Sequence, residues 1–267
     1  MKLTRLISLT LILTVFCLSF CGCKKDYSKN YVYFDVSSEP KSLDPQTAST
    51  DEELMIVRNI FEGLLRKNEK GEIVNGVCSS YFVNGLELTF NLKENAVWSN
   101  GTKLTANDFV FGLRRAVTPN VKATFADRLL SVKNAKSILE GSLSPESLGV
   151  RSEGKYTLKI TLETTDEYFL DTLTTSVCMP CNEEFFKSTV GQYGLNAKCI
   201  LGNGSYVLKK WNPDDFGIRL YRNEEYSGDF KASSISVFST KAQSALSLEK
   251  NSYGVSSFLF DMNTAAF

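Results

Sequence analysis

The sequence predicts an α/β protein organised around a mixed sheet, and three patterns within its 267 residues carry that expectation. Tyr31-Val32-Tyr33-Phe34-Asp35-Val36 is a nearly continuous apolar, β-favouring run bounded by Ser37 and Ser38, which reads as a strand buried on both faces. From Asp51 to Leu65 the apolar side chains Leu54, Ile56, Val57, Ile60, Phe61, Leu64 and Leu65 recur at helical spacing. Leu86, Leu88, Phe90 and Leu92 alternate with Glu87, Thr89, Asn91 and Lys93, and Tyr156, Leu158, Ile160 and Leu162 alternate with Thr157, Lys159, Thr161 and Glu163. That period of two marks antiparallel strands with one wet face. A doubly buried strand beside half-exposed ones implies both parallel and antiparallel pairing.

In chain order, residues 1–22 come first, with Lys2 and Arg5 ahead of an apolar run from Leu6 to Phe20, the pattern of a secretory signal. The run is too short, and too closely followed by Lys24 and Lys25, for a membrane span. Small Gly22 directly precedes Cys23, which makes Cys23 the expected lipidated N-terminus; Cys21 is the weaker candidate, because bulky Phe20 would sit at its cleavage site. After the first strand, Pro40 and Pro45 forbid regular pairing and force an extended loop. Thr50 or Asp51 can cap the helix that follows. Trp98 beside Asn100-Gly101 reads as a core aromatic next to a tight hairpin turn. Thr105-Ala106-Asn107-Asp108 opens a helix with a capping-box-like pair, Asp108 serving the cap, and Pro119 stops it after Val117. Further helices are expected near residues 168–174 and 183–190, and strands near 206–211, 218–221 and 235–238.

Composition removes several classes of chemistry. The chain contains no histidine, so the usual general base, zinc ligand and triad base are all missing. The 30 Lys and Arg balance 30 Asp and Glu, and loss of residues 1–22 with Lys2 and Arg5 leaves 28 against 30. A near-neutral chain has no electrostatic drive toward a phosphate backbone, which argues against nucleic acid as a partner. Cys178-Met179-Pro180-Cys181 has the spacing of a redox motif but lacks the preceding strand such a motif needs, and a structural disulfide or free thiols are the simpler readings. A zinc site on Cys178, Cys181 and Cys199 would need Cys78 or a carboxylate as fourth ligand, so neither metal nor cofactor is expected.

Four blocks in order resemble the oligopeptide- and dipeptide-binding proteins of ABC importers. They are Glu39-Pro40-Lys41-Ser42-Leu43-Asp44-Pro45 followed by Phe61-Glu62-Gly63-Leu64-Leu65; Trp98-Ser99-Asn100-Gly101-Thr102 leading through Leu104 to Val110 and Arg115; Ile138-Leu139-Glu140-Gly141 running to Leu148-Gly149-Val150 and Tyr156-Thr157-Leu158; and Asn203-Gly204-Ser205-Tyr206 with Lys210-Trp211 and Asn223-Glu224-Glu225-Tyr226. The resemblance covers roughly residues 30 to 240. It implies a periplasmic-binding-protein-like fold of the cluster with an extra small domain. It also implies a non-enzymatic receptor that holds short peptides along their backbone, as a strand is added to a sheet edge, and delivers them to ABC permease subunits from the extracytoplasmic face of the cell membrane. By the same resemblance Ser49, Thr50 and Asp51 lie where ligand-contacting backbone is expected. Phe125 stands where the oligopeptide branch has a tyrosine, keeping the aromatic surface but not the hydroxyl.

On this reading residues 24–60 and 181–267 form an incomplete first lobe and residues 61–180 an inserted smaller α+β domain, the second lobe being absent. Half a cleft cannot enclose a ligand, so weak or absent peptide binding is expected from this stretch alone. Two other functions fit less of the sequence: a short lipoprotein used for peptide sensing or protein interaction, and a thiol/disulfide enzyme using Cys178 and Cys181.

Overall fold

The alternating stretches fold as expected into antiparallel sheet, in a computed structural model that describes residues 31–36, 38–212, 217–228, 230 and 232–239. Residues 1–22, Cys23 and residues 240–267 lie outside the described part. In chain order the elements are β1 (Tyr31–Val36), α1 (Asp51–Ile60), β2 (Leu65–Lys67), β3 (Ile73–Asn75), β4 (Cys78–Asn84), β5 (Glu87–Leu92), α2 (Ala106–Val117), α3 (Ala135–Leu139), β6 (Val150–Ser152), β7 (Thr157–Thr161), α4 (Phe169–Thr172), α5 (Glu183–Ser188), β8 (Tyr206–Asn212), β9 (Gly217–Arg222) and β10 (Ser234–Ser239). One four-stranded sheet has the order β1-β10-β9-β8, a second has the order β4-β5-β7-β6, and β2 pairs with β3.

The first sheet is mixed, as predicted: β1 runs parallel to β10, while β10, β9 and β8 pair antiparallel. The expectation that β1 is buried on both faces is corrected. Val36 is buried and Val32 and Phe34 pack against the core, but Tyr31 and Tyr33 are 58% and 48% exposed. The cause is positional, since β1 is an edge strand and the described chain covers only the face bearing Val36, Ile235, Val237, Ile218 and Leu220.

The second sheet is antiparallel throughout and buries Leu88, Phe90, Leu92, Leu158, Ile160 and Leu162 on one face. Its other face carries Glu87, Arg151, Glu153 and Lys159, linked as surface ion pairs. Helix α2 packs on this sheet through β6 and β7, whereas α1 packs on β8 of the first.

Two helix boundaries have visible causes. Helix α1 ends at Ile60 rather than Leu65, because Phe61 turns extended at φ −119°, ψ 150°. There the side-chain amide of Asn203 treats Glu62 like a strand neighbour, accepting from its N–H at 3.1 Å and donating to its carbonyl at 2.8 Å. Phe61, Leu64 and Leu65 remain buried in the extended chain, so helical spacing and burial coincide without a helix. Helix α2 starts as expected: Asp108 Oδ2 accepts from the Thr105 N–H at 2.7 Å and from its hydroxyl at 3.0 Å. Trp98 is fully buried beside the turn at Gly101, whose φ of +81° favours glycine. The helices expected near 168–174 and 183–190 are the shorter α4 and α5.

Candidate functional site

The loop between β1 and α1 has no regular pairing, so its backbone donors need side-chain acceptors. Glu53, in the first turn of α1, supplies them. Its Oε1 accepts from the N–H groups of Lys41 at 2.8 Å and Ser42 at 3.1 Å, and its Oε2 from those of Ser49 at 2.8 Å and Thr50 at 3.2 Å. Thr50 returns the contact as N-cap, accepting from Glu53 N–H at 3.3 Å. Burial alone would raise the Glu53 carboxyl, but the four backbone donors outweigh it and hold the group below the ordinary carboxylate value.

A second fastener ties the same loop to α2. Asp44 and Arg115, both almost fully buried, form a two-pronged ion pair, and Arg115 also donates to Gln46 Oε1. Gln46 in turn donates to the Met179 carbonyl at 3.0 Å. The guanidinium carbon lies 4.4 Å from the ring centre of Phe186 and 5.2 Å from that of Tyr193. Burial pulls the Arg115 pKa down, the Asp44 carboxylate more than offsets it, and the net shift is upward, which keeps the arginine charged. Two of the four sequence blocks thus meet through one pair of residues.

The residues expected near ligand sit on top of this locked loop. Ser49, Thr50 and Asp51 are exposed at the start of α1, and Phe125 is half-buried on the segment before a short turn at Ala126–Leu129. The two segments are stitched together, with Thr124 N–H donating to the Gln46 carbonyl at 3.2 Å and its hydroxyl to the Thr47 carbonyl at 2.9 Å. The N–H groups of Ser49 and Thr50 are already committed to Glu53. The Arg128 guanidinium stacks 4.8 Å over the Phe125 ring. The sequence does not single out Glu53, Asp44 and Arg115 as site residues, although the spacing of Thr50 and Glu53 is itself a capping-box signal.

A separate small cavity of about 150 Å³ is lined by Glu62, Lys93, Asn203 and Tyr226 among others, and contains none of the expected ligand positions. Burial raises the Glu62 carboxyl there, against the Tyr226 hydroxyl that donates to it at 2.9 Å.

Cys178 and Cys181 are free and buried, and burial pushes both thiols up to about 12. A thiol enzyme needs the opposite shift, toward thiolate at neutral pH. Cys78 and Cys199 are also free. Among the described residues no group of three or more Cys, Asp or Glu is placed to hold a metal ion, and no helix is long and apolar enough to cross a membrane.

With this arrangement in view, the class is settled by comparison with known proteins. The profile described as "Bacterial extracellular solute-binding proteins, family 5 Middle" matches residues 72–266, and the chain belongs to that family. Within it, the sequence is 37% identical over 178 residues to the periplasmic murein peptide-binding protein MppA of Escherichia coli, covering 66% of this chain and 33% of that protein. It is 30% identical over 233 residues to the dipeptide-binding protein of Lactococcus lactis, covering 85% of this chain and 42% of that one. The structure of Listeria monocytogenes OppA bound to peptide superposes with a TM-score of 0.76 at 29% identity, covering 79% of this chain and 42% of that chain. The α/β fold with a mixed sheet is therefore that of periplasmic binding proteins, and the chain spans 33 to 42% of the length of these relatives.

Proposed function

We propose that this chain is part of an extracytoplasmic receptor that captures short peptides along their backbone and presents them to the permease subunits of an ABC importer. Its ligand-facing surface is formed by Ser49, Thr50, Asp51 and Phe125. The observation that carries the reading is the stitching of the 123–125 segment to the Pro40–Thr50 loop, a surface kept rigid from beneath by Glu53 and by the Asp44–Arg115 pair. The relatives named for peptides, in E. coli, L. lactis and L. monocytogenes, support the ligand class. A prebuilt surface suits a receptor, since ordering a loop on binding would cost affinity.

In the same reading residues 24–60 and 181–267 make the first lobe and residues 61–180 the smaller domain. The parallel pairing of β1 with β10 across the whole intervening chain, and a second sheet closed within residues 78–161, support this division. Cys23 carries the lipid that holds the receptor at the membrane; a Cys23→Ala chain released from the membrane fraction agrees with this, and one still retained there refutes it. The receptor performs no catalysis of its own.

Calorimetry of residues 23–267 with a pool of di- to pentapeptides tests the function. A well-formed site encloses most of a small ligand, and this stretch matches less than half of the length of the relatives named above, so weak binding is expected. Saturating heats from free amino acids or sugars, with none from peptides, would remove peptide as the ligand class.

A further inference from the structure

We propose that Asn84-Gly85, at the tip of the β4–β5 hairpin, is a self-modification site, where the folded chain converts Asn84 to aspartate and isoaspartate with water as co-reactant. This chemistry is independent of what the receptor binds.

The sequence contains four Asn-Gly pairs: Asn75-Gly76, Asn84-Gly85, Asn100-Gly101 and Asn203-Gly204. Asparagine is thermolabile, and a following glycine leaves its own backbone nitrogen unshielded because it has no Cβ. That nitrogen can attack the asparagine side-chain amide when two groups are at liberty, the glycine N–H and the side chain before it. In three of the pairs both are held. The Gly76 N–H donates to the Leu64 carbonyl at 3.0 Å, while the Asn75 side-chain amide donates to the Ser79 carbonyl at 2.9 Å. The Gly101 N–H donates to the Trp98 carbonyl at 2.8 Å, and Asn100 Oδ1 accepts from the Thr102 N–H at 3.1 Å and its hydroxyl at 2.6 Å. The Gly204 N–H donates to the Ile60 carbonyl at 2.8 Å, and the buried Asn203 side chain is bonded to the backbone of Glu62 through both its oxygen and its nitrogen.

The remaining pair differs at each point. Asn84 and Gly85 are both exposed, and among the described residues neither the Asn84 side chain nor the Gly85 N–H has a hydrogen-bond partner. Gly85 turns the hairpin at φ +58°, and no atom lies within 4 Å of where a Cβ would stand, which leaves room for a ring to close. The Gly85 nitrogen gives up its proton and bonds to Asn84 Cγ; the bond from Cγ to Nδ2 breaks, and ammonia leaves with that proton. Water then opens the succinimide. Breaking the new bond from nitrogen to Cγ gives aspartate, and breaking the original peptide bond gives isoaspartate, which lengthens the turn by a methylene. Either product sets a carboxylate across the hairpin from Glu87, the residue in register with Asn84. Like charges directly opposite one another weaken a strand pair, so the modification loosens the free end of β4.

The test holds the purified chain folded in mildly alkaline buffer for days, with samples cleaved and read by mass spectrometry and the two acid products separated by chromatography. Asn84 is expected to be lost at least about tenfold faster than Asn75, Asn100 or Asn203, since each of those must first give up a hydrogen bond of about that worth. A parallel sample unfolded in urea removes the hydrogen bonds, and there the gap is expected to close. The early ammonia released by the folded chain is expected to disappear in Asn84→Gln, which keeps Gly85 and its turn. Loss of another pair as fast as Asn84 in the folded chain, a gap that persists in urea, or early ammonia that survives Asn84→Gln would each overturn the site.

Discussion

The two four-stranded sheets are built by opposite strategies. The second closes within residues 78–161, by antiparallel neighbours whose outward face is charged and whose inward face is apolar. The first takes β1 from before that sheet and β8, β9 and β10 from after it, and its outward face shows Tyr31, Tyr33 and Tyr221 among its exposed side chains. A sheet assembled locally can be read from its own alternation; a sheet assembled across the chain depends on partners the local pattern does not name. A polar junction ties the two regions together beside the apolar core they share. Asp44 follows the first strand, and Arg115 lies on the helix that covers the second sheet.

The strongest test breaks that junction. Asp44→Ala leaves the Arg115 charge buried without its carboxylate, and a loss of about 3–5 kcal/mol is expected from urea unfolding at neutral pH. A loss under about 1 kcal/mol would mean the two sheets hold together by apolar contact alone. Fluorescence and circular dichroism recorded on the same variant report whether both sheets still unfold in one transition.

A smaller effect belongs to Glu53. Its folded pKa lies below the ordinary value of 4.5, so its contribution is fully present above about pH 4.5 and is lost as pH falls through the folded value. Glu53→Gln is expected to cost about 2 kcal/mol at pH 7 and to close the gap with the parent chain as pH drops below 4.5. Unfolding midpoints at pH 7, 4 and 3 decide it; a constant gap over that range would show that the loop does not depend on the ionised carboxylate.

The smallest effect is expected on the outward face of the first sheet. Tyr33 stacks on Phe238 at 6.2 Å between ring centres but is 48% exposed, so Tyr33→Ser should cost less than about 1 kcal/mol. A loss of several kcal/mol would reveal that this face is covered in solution, and would erase the contrast between the sheets.

What the sequence disclosed follows the same contrast. Strands β5 and β7 were legible because Leu88, Phe90, Leu158 and Ile160 alternate cleanly with polar partners. Strands β2, β3, β4 and β6 were not: β2, β3 and β6 are three residues each, and β4 exposes Phe82 and Val83, which blurs any alternation. The end of α1 is not legible in the helical spacing, because the partner that bonds the extended chain there, Asn203, lies 141 residues from Glu62. In the candidate site, the surface positions came from resemblance, while their support did not. Asp44 and Arg115 appeared in separate blocks, 71 residues apart, and nothing in either block states that one neutralises the other.

The free thiols carry a consequence for when this molecule is open to damage. Of the four described cysteines three are buried, and only Cys199 is partly reachable from solvent. Oxidants that meet the folded chain therefore find one accessible sulfur among these four, whereas a chain not yet folded offers all four. For Cys78, Cys178 and Cys181, exposure to oxidation is then confined to the interval before collapse, and whatever hastens collapse also shields those three sulfurs.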